Sequence, residues 1–315
     1  MAKKIIAVTG ATGAQGGALV RAILADPAGG YTVRAVTRHP NGDQGRALAT
    51  QGAEVVGADL DHRASLETAF RGAYGVYCVT NFWEHMSVER EIAQARNMAT
   101  AAKAAGVEHA IWSTLEDTRL KVPLQDDRMP TLHGKYKVPH FDGKGEANRA
   151  FTDIGVPTTL FHTSFYWDNF ISFGMGPKRQ PDGRLVLALP LGDKRLAGIA
   201  AEDIGKCAYG VFKRGAELRS TSIGIAGDHL TGAQMATAFS RALEREVVYQ
   251  YVPPEVYRTL GFPGADDLGN MFQYYRDFDE EFCGSRDLAF SRSLNPELQT
   301  FATWLGRNRS RIPVG

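Results

Sequence analysis

Residues able to do chemistry fall in three places along the chain. Gly10-Ala11-Thr12-Gly13-Ala14-Gln15-Gly16-Gly17 has the spacing G-x-x-G-x-x-G and directly follows the apolar run Lys4 to Val8. A glycine loop between a strand and a helix can cradle a pyrophosphate, because the helix N-terminus presents unpaired N–H groups and a partial positive charge. Gly10 then permits the sharp turn, Gly13 the approach of backbone to phosphate, and Gly16 close packing of helix on strand. The second place is Val36-Thr37-Arg38-His39, at the end of a predicted second strand. It holds no carboxylate to accept from a ribose 2′-hydroxyl, whereas Arg38 offers a fork for a 2′-phosphate. NADP(H) is therefore expected over NAD(H). Asp59-Leu60-Asp61, after a third strand, lies where an adenine would be held, with Asp61 alternatively the N-cap of the next helix.

The third place concerns proton transfer. Ordinary short-chain dehydrogenases use Y-x-x-x-K at the start of the helix after strand five, where tyrosine passes the proton and lysine holds the ribose. The one literal match here, Tyr209 and Lys213, lies far too late in the chain and is read as structural. The expected location instead reads His140-Phe141-Asp142-Gly143-Lys144. Two readings follow. In one, the site binds a dinucleotide without a proton donor, and Lys144 only holds the ribose. In the other, His140, read as a loop residue, replaces the tyrosine, since histidine titrates near neutrality. Lys144 would serve as a base if burial disfavoured its charge. Strand five ends Trp112-Ser113-Thr114, which keeps a hydroxyl for a substrate oxygen. No metal is expected: the eight histidines lack ligand spacing, and Cys78, Cys207 and Cys283 form no C-x-x-C pair.

The elements that must position these residues alternate. Strands are predicted at Lys4 to Val8, Tyr31 to Val36, Glu54 to Val56, Tyr74 to Val79, His109 to Trp112 and Thr158 to Phe161. Helices lie between them, including Ala64 to Phe70, Val88 to Ala105 and Asp142 to Ile154. This alternation predicts an α/β fold, a Rossmann-type doubly wound parallel sheet, over residues 1–160. A smaller α+β C-terminal domain for substrate or partner follows over 161–315, with later segments returning to the first domain. Its expected strands are Leu185 to Leu189, Ser222 to Ile225 and Val247 to Val252; its expected helices are Ala201 to Phe212, Thr231 to Leu243 and Pro253 to Leu260. Leu115 to Pro139 reads as long, polar and irregular, and Phe272, Tyr274, Tyr275 and Phe278 as helical core packing.

Composition narrows the partners. Thirty-six basic and 35 acidic residues leave a net charge of +1, which argues against direct nucleic-acid or membrane-surface binding. The 34 glycines carry no G-x-y period, so collagen and low-complexity readings fail. Lys3-Lys4 before Ile5-Ile6-Ala7-Val8 mimics a leader, but Thr9, Gly10, Thr12 and Gly13 interrupt it at once. A cytoplasmic protein is expected.

Taken together, the chain resembles the NmrA-like atypical short-chain dehydrogenases, in particular the branch of NADP(H)-sensing redox regulators. The stretches that carry the resemblance are Val8 to Gly17, Val36-Thr37-Arg38, Gln51 to Val56 and Thr80-Asn81-Phe82-Trp83-Glu84. His140 to Glu146, Phe165-Tyr166-Trp167-Asp168-Asn169 and Leu260 to Ala265 complete them. The resemblance implies that Gly10, Thr12, Gly13, Ala14, Gln15 and Gly16 hold the pyrophosphate and Arg38 the 2′-phosphate. It places Asp59 and Leu60 at the adenine, Thr80, Asn81 and Phe82 on the ribose side, Lys144 at the nicotinamide ribose, and Tyr166 to Asn169 beside the nicotinamide. It implies little ordinary dehydrogenase activity and a regulatory protein partner, with a monomer or homodimer as the assembly. Two departures stand out. Pro40-Asn41-Gly42-Asp43 follows Arg38 where further basic residues are common, and His162 stands where arginine is frequent. Related isoflavone-reductase-type enzymes also lack the tyrosine yet reduce substrates through the lysine, which keeps an NADP(H)-dependent oxidoreductase open as the alternative.

Overall fold

The computed structural model describes residues 2–314, and the chain divides into two compact units. The first unit comprises residues 1–117, 140–163 and 204–223. Its strands are β1 (Lys4–Val8), β2 (Tyr31–Thr37), β3 (Glu54–Gly57), β4 (Gly75–Cys78), β5 (His109–Thr114) and β6 (Thr158–His162). Its helices are α1 (Ala14–Leu24), α2 (Asp43–Thr50), α3 (Arg63–Phe70), α4 (Val88–Ala104) and α5 (Pro139–Thr152), followed by α6 (Ala201–Arg214). A last strand, β7 (Ser222–Gly224), sits beside β6, giving the sheet order β7-β6-β5-β4-β1-β2-β3. The pairs from β3 through to β6 are all parallel. This is the doubly wound Rossmann-type sheet expected from the alternation. The strand order reverses between β1 and β4, which opens the crevice where such sheets take ligands.

Burial explains the strands. Ile6, Ala7 and Val8 of β1 and Val76, Tyr77 and Cys78 of β4 are fully buried, because helices cover both faces of a parallel sheet. Ala95, Met98, Ala99 and Ala102 of α4 pack into the same core, where Trp112 stacks on Phe151 at 5.2 Å. Gly75 is needed at the start of β4, since a Cβ there would lie 2.6 Å from the Phe212 ring of α6.

Several elements depart from expectation. Helix α5 begins at Pro139, three residues before the predicted start, as a proline at the first helical position allows. Helix α2 was not predicted; it buries only Gly45 and Leu48, too little to leave a periodic signal. The strand predicted at Ser222 to Ile225 joins the large sheet rather than the later domain. Tyr209 and Lys213 lie on α6, where the Tyr209 hydroxyl donates to Asp26 at 3.0 Å and the Lys213 ammonium sits over the Tyr209 ring.

The second unit comprises residues 118–139, 164–203 and 224–315. It holds two three-stranded sheets, one of Asp228–Thr231, Arg195–Ile199 and Phe165–Tyr166, the other of Val247–Tyr251, Leu185–Leu189 and Lys178–Arg179. Trp167, Phe170, Phe239, Phe301 and Trp304 form its aromatic core. The helix Ala265–Asp277 buries Phe272, Tyr274 and Tyr275, as helical core packing requires. The segment predicted to be irregular is pinned by buried polar side chains. The Lys137 ammonium donates to the carbonyls of Asp126 (2.8 Å) and Met129 (2.7 Å), and Gln273 donates to that of Arg128 (2.6 Å). No helix among the described residues is long and apolar enough to cross a membrane.

Candidate functional site

The glycine loop lies at the carboxyl end of β1. Gly10 turns with φ +60, in the left-handed region where glycine is unstrained. A Cβ at Gly16 would meet the Gly10 carbonyl oxygen at 2.3 Å, so the loop closes only with glycine there, and one at Gly13 would meet the same oxygen at 3.3 Å, a tight contact. Helix α1 starts at Ala14, with Gly13 as its N-cap and no side-chain cap bond. Its first-turn N–H groups are thus left for an anion. The loop is stitched to β4: the Thr9 hydroxyl donates to the Tyr77 carbonyl (3.0 Å) and accepts from the Val79 N–H (3.0 Å). Gln15 is drawn inward, its side-chain oxygen accepting from the Tyr77 hydroxyl and from Ser113 (2.7 Å).

Arg38 follows β2 directly. Its guanidinium donates through Nη1 (2.5 Å) and Nη2 (3.0 Å) to the two carboxylate oxygens of Glu84. Glu84 ends a single 3₁₀ turn, Phe82–Glu84, after β4. The hydrogen bond to Glu84 holds Arg38 even further above its already high pKa. A pocket beside it is lined by Arg38, His39, Ala58, Asp59, His62 and Ser65. Asp59 accepts from the Asp61 N–H (2.9 Å), and the Leu60 carbonyl accepts from Asn97 (2.8 Å). Asp61 is not the cap of α3; that position belongs to His62, which makes no side-chain cap bond. Asp61 pairs with Arg90, whose hydrogen bond holds the Asp61 carboxyl below the usual carboxylate range.

Lys144 projects from α5 into a closed triangle. Its ammonium lies 2.7 Å from the Thr80 hydroxyl and 2.6 Å from Glu91 Oε1, and the Thr80 hydroxyl donates to the same carboxylate oxygen at 2.6 Å. Glu91 is fully buried, and Thr80 and Lys144 nearly so. The other Glu91 oxygen faces His85 Nε2 at 3.9 Å, and neither atom has a hydrogen-bond partner. His85 Nδ1 accepts from the Ser87 N–H, which leaves the ring proton of a neutral imidazole on Nε2.

His140 is in the first turn of α5, not in a loop, so it shares a helix face with Lys144 one turn on. It packs among the rings of Trp83 (4.8 Å), Phe141 (4.8 Å) and Phe82 (6.0 Å). Asn81 precedes the 3₁₀ turn and is exposed, while Phe82 is buried. Of the two hydroxyls that end strand five, Thr114 donates to α5 through the Asn148 side chain (2.7 Å) and the Lys144 carbonyl (3.1 Å), and Ser113 donates to Gln15.

The glycine loop, Arg38, Asp59, Leu60, Thr80, Asn81, Phe82, His140 and Lys144 all belong to the first unit. Tyr166 and Asn169 belong to the second, Tyr166 on a strand paired with Ile199 and Asn169 opening the short helix Asn169–Ser172. Glu84 and Glu91 were missed as partners of the two cations. Glu91 left a signal: Val88, Glu91, Ala95, Met98 and Ala102 share one helical stripe, and a charge on that stripe must be buried with a partner.

Comparison with known proteins settles the family. The model of the NmrA-like family matches residues 2–305. The chain belongs to the NmrA-like family. It is 28% identical over 293 residues to the NmrA-like oxidoreductase FrzB of Cladobotryum sp, covering 86% of this chain and 83% of the relative. It is 30% identical over 262 residues to the nitrogen metabolite repression protein nmrA of Emericella nidulans, covering 80% of this chain and 69% of that one. Crystal structures of NmrA, a negative transcriptional regulator, superpose with TM-score 0.79 at 26% identity, covering 97% of this chain and 95% of theirs. One of them is a complex with NAD and the other a complex with NADP. This NmrA-like chain therefore shares its fold with a regulator and its family with oxidoreductases.

Proposed function

We propose that this protein binds NADP(H) and acts as a redox sensor that regulates a protein partner, with little or no turnover of its own. The observation that carries the reading is the Lys144–Thr80–Glu91 triangle. Beside a buried carboxylate and a hydroxyl, the Lys144 Nζ is positioned as a hydrogen-bond donor that can hold a ribose hydroxyl. The residues fit the dinucleotide. Uncapped N–H groups at α1 and a loop closed by Gly10, Gly13 and Gly16 suit the pyrophosphate, with Thr12, Ala14 and Gln15 in the same turn. Arg38 suits a 2′-phosphate, and Asp59 lines the pocket beside it, where an adenine would sit next to Leu60. Thr80, Asn81 and Phe82 with Lys144 suit the ribose. Bound nicotinamide would supply a hydride. Position 140, where the tyrosine that passes the matching proton is expected, holds a ring-packed histidine. The NADP complex of NmrA and that protein's description as a transcriptional regulator support both halves of the reading. The near-neutral charge supports a protein partner rather than direct DNA contact.

A second reading has one specific support: His140 and Lys144 share a face of α5, the arrangement a proton-passing pair needs. It makes the protein an NADP(H)-dependent reductase acting on a small molecule. A turnover assay with NADPH against a panel of aldehydes, ketones and quinones separates the two. The sensor reading expects saturable binding without turnover. Turnover that disappears in both Lys144→Gln and His140→Phe would replace it with the reductase.

A further inference from the structure

The pair formed by Arg38 and Glu84 occupies the group that should choose between the dinucleotides. Arg38 spends both ends of its fork, Nη1 and Nη2, on the two oxygens of Glu84. That is one of the bidentate faces a phosphate monoester would use. The side chains are 47% and 39% exposed, so the pair is open to exchange with an arriving anion. The Glu84 backbone, however, is tethered. Phe82 of the same turn is buried, and the Met86 N–H closes the turn on the Phe82 carbonyl at 2.7 Å. Glu84 displaced from Arg38 would therefore remain beside the incoming phosphate.

Among the described residues the other arginines near this pocket are engaged, and its remaining basic groups are the imidazoles of His39 and His62. Asp59 lines the same pocket and adds a second negative charge. Arg90 lies within range of Glu84 and Asp59, but it is forked onto Asp61 through Nε and Nη2. Arg46, on α2, is tied to Asp43 and the Asn41 carbonyl. Pro40-Asn41-Gly42-Asp43 supplies no basic residue after Arg38. A 2′-phosphate must thus either displace Glu84 or take the donors that Glu84 leaves, and in both cases it sits near two carboxylates. A 2′-hydroxyl breaks nothing and meets a carboxylate able to accept from it.

We propose that Glu84 is a specificity-determining residue, an internal competitor that holds Arg38 from the 2′-phosphate and narrows this protein's preference for NADP(H) over NAD(H). The inference rests on the proposed dinucleotide site and adds to it a residue that weakens selectivity instead of creating it.

The test is calorimetry with NADPH and NADH on wild type, Glu84→Gln, Arg38→Ala and the double variant. 2′,5′-ADP and 5′-AMP serve as matched probes that lack the nicotinamide end. Wild type is expected to prefer NADPH only weakly. Glu84→Gln should tighten NADPH and 2′,5′-ADP about five- to tenfold and change NADH and 5′-AMP less than about twofold. In the Arg38→Ala background the Glu84→Gln gain should shrink to about twofold, the part left by relief of carboxylate–phosphate repulsion. A Glu84→Gln effect equal on both members of each pair, absent, or undiminished without Arg38 would overturn the competition. Binding of all four ligands to wild type with no Glu84→Gln effect defeats this inference alone. Binding of none defeats the dinucleotide site itself.

Discussion

Two glutamates each hold a cation in the first unit, and the two pairs differ in nearly everything but chemistry. Glu91 is fully buried, accepts from both Lys144 and Thr80, and lies inside the stripe that packs α4 on the sheet. Glu84 is partly exposed, holds Arg38 alone, and sits on a single turn after β4. A buried pair cannot be opened without leaving an uncompensated charge, whereas an exposed one exchanges with solvent at little cost. The first is therefore a fixture that orients a lysine, and the second a contact that a ligand can replace. Ionic pairing alone does not reveal a residue's use; burial and the number of partners do.

Breaking the buried pair should have the largest effect. Glu91→Ala is expected to cost about 3–5 kcal/mol in urea unfolding, because Lys144 is left without its carboxylate. The double variant Lys144→Met/Glu91→Leu should recover most of that loss, since an apolar pair of similar volume avoids the desolvation cost. A double variant as unstable as the single one would show that packing, not charge, holds the cluster. This also bears on the turnover assay: Lys144→Ala strands Glu91, which makes Lys144→Gln the better probe.

His109 sharpens the contrast as a buried group with no charged partner. Its Nε2 is 2.8 Å from the Thr159 hydroxyl, which itself donates to the Leu218 carbonyl, and Nδ1 has no partner. Burial pushes the His109 pKa down from 6.5 to about 4. The native state thus keeps the ring neutral where the unfolded chain takes up a proton. Stability is fully present above pH 6.5 and falls as pH drops toward 4, by about 3 kcal/mol at one pKa unit per 1.36 kcal/mol. Urea unfolding across that window should show the slope in wild type and a flatter profile in His109→Gln. Equal slopes would assign acid sensitivity elsewhere.

Effects at the exposed pair should be smaller. Arg38→Ala is expected to weaken NADPH about tenfold or more, as removal of a charge-assisted pair does, and to leave NADH nearly unchanged by calorimetry. Equal losses for both would deny Arg38 a role at the 2′-phosphate. Glu84→Gln should change unfolding free energy by less than about 1 kcal/mol, within the range of exposed ion pairs. A larger loss would make Glu84 structural.

The sheet was legible because its signals are local: branched apolar runs, a glycine loop, and helices closed by glycine at Gly106 and Gly155. Arg38 and Lys144 could be picked out for the same reason, by their distance from those markers. Their partners were not legible, since Glu84 and Glu91 reach them across 46 and 53 residues of chain, and such contacts leave only indirect traces. His140 was misread as a loop residue because Pro139 was not taken as a helix start. In the second unit the apolar strand Leu185–Leu189 was legible, but Arg195–Ile199, which contains Gly198, and the mostly polar Asp228–Thr231 were missed for lack of a branched apolar run.

Calorimetric titration of the wild-type protein with NADPH tests the account most directly. It predicts saturable binding to one site per chain, with affinity on the order of micromolar, as for dinucleotides held by a loop, a fork and a lysine. The absence of binding at millimolar NADPH would contradict it.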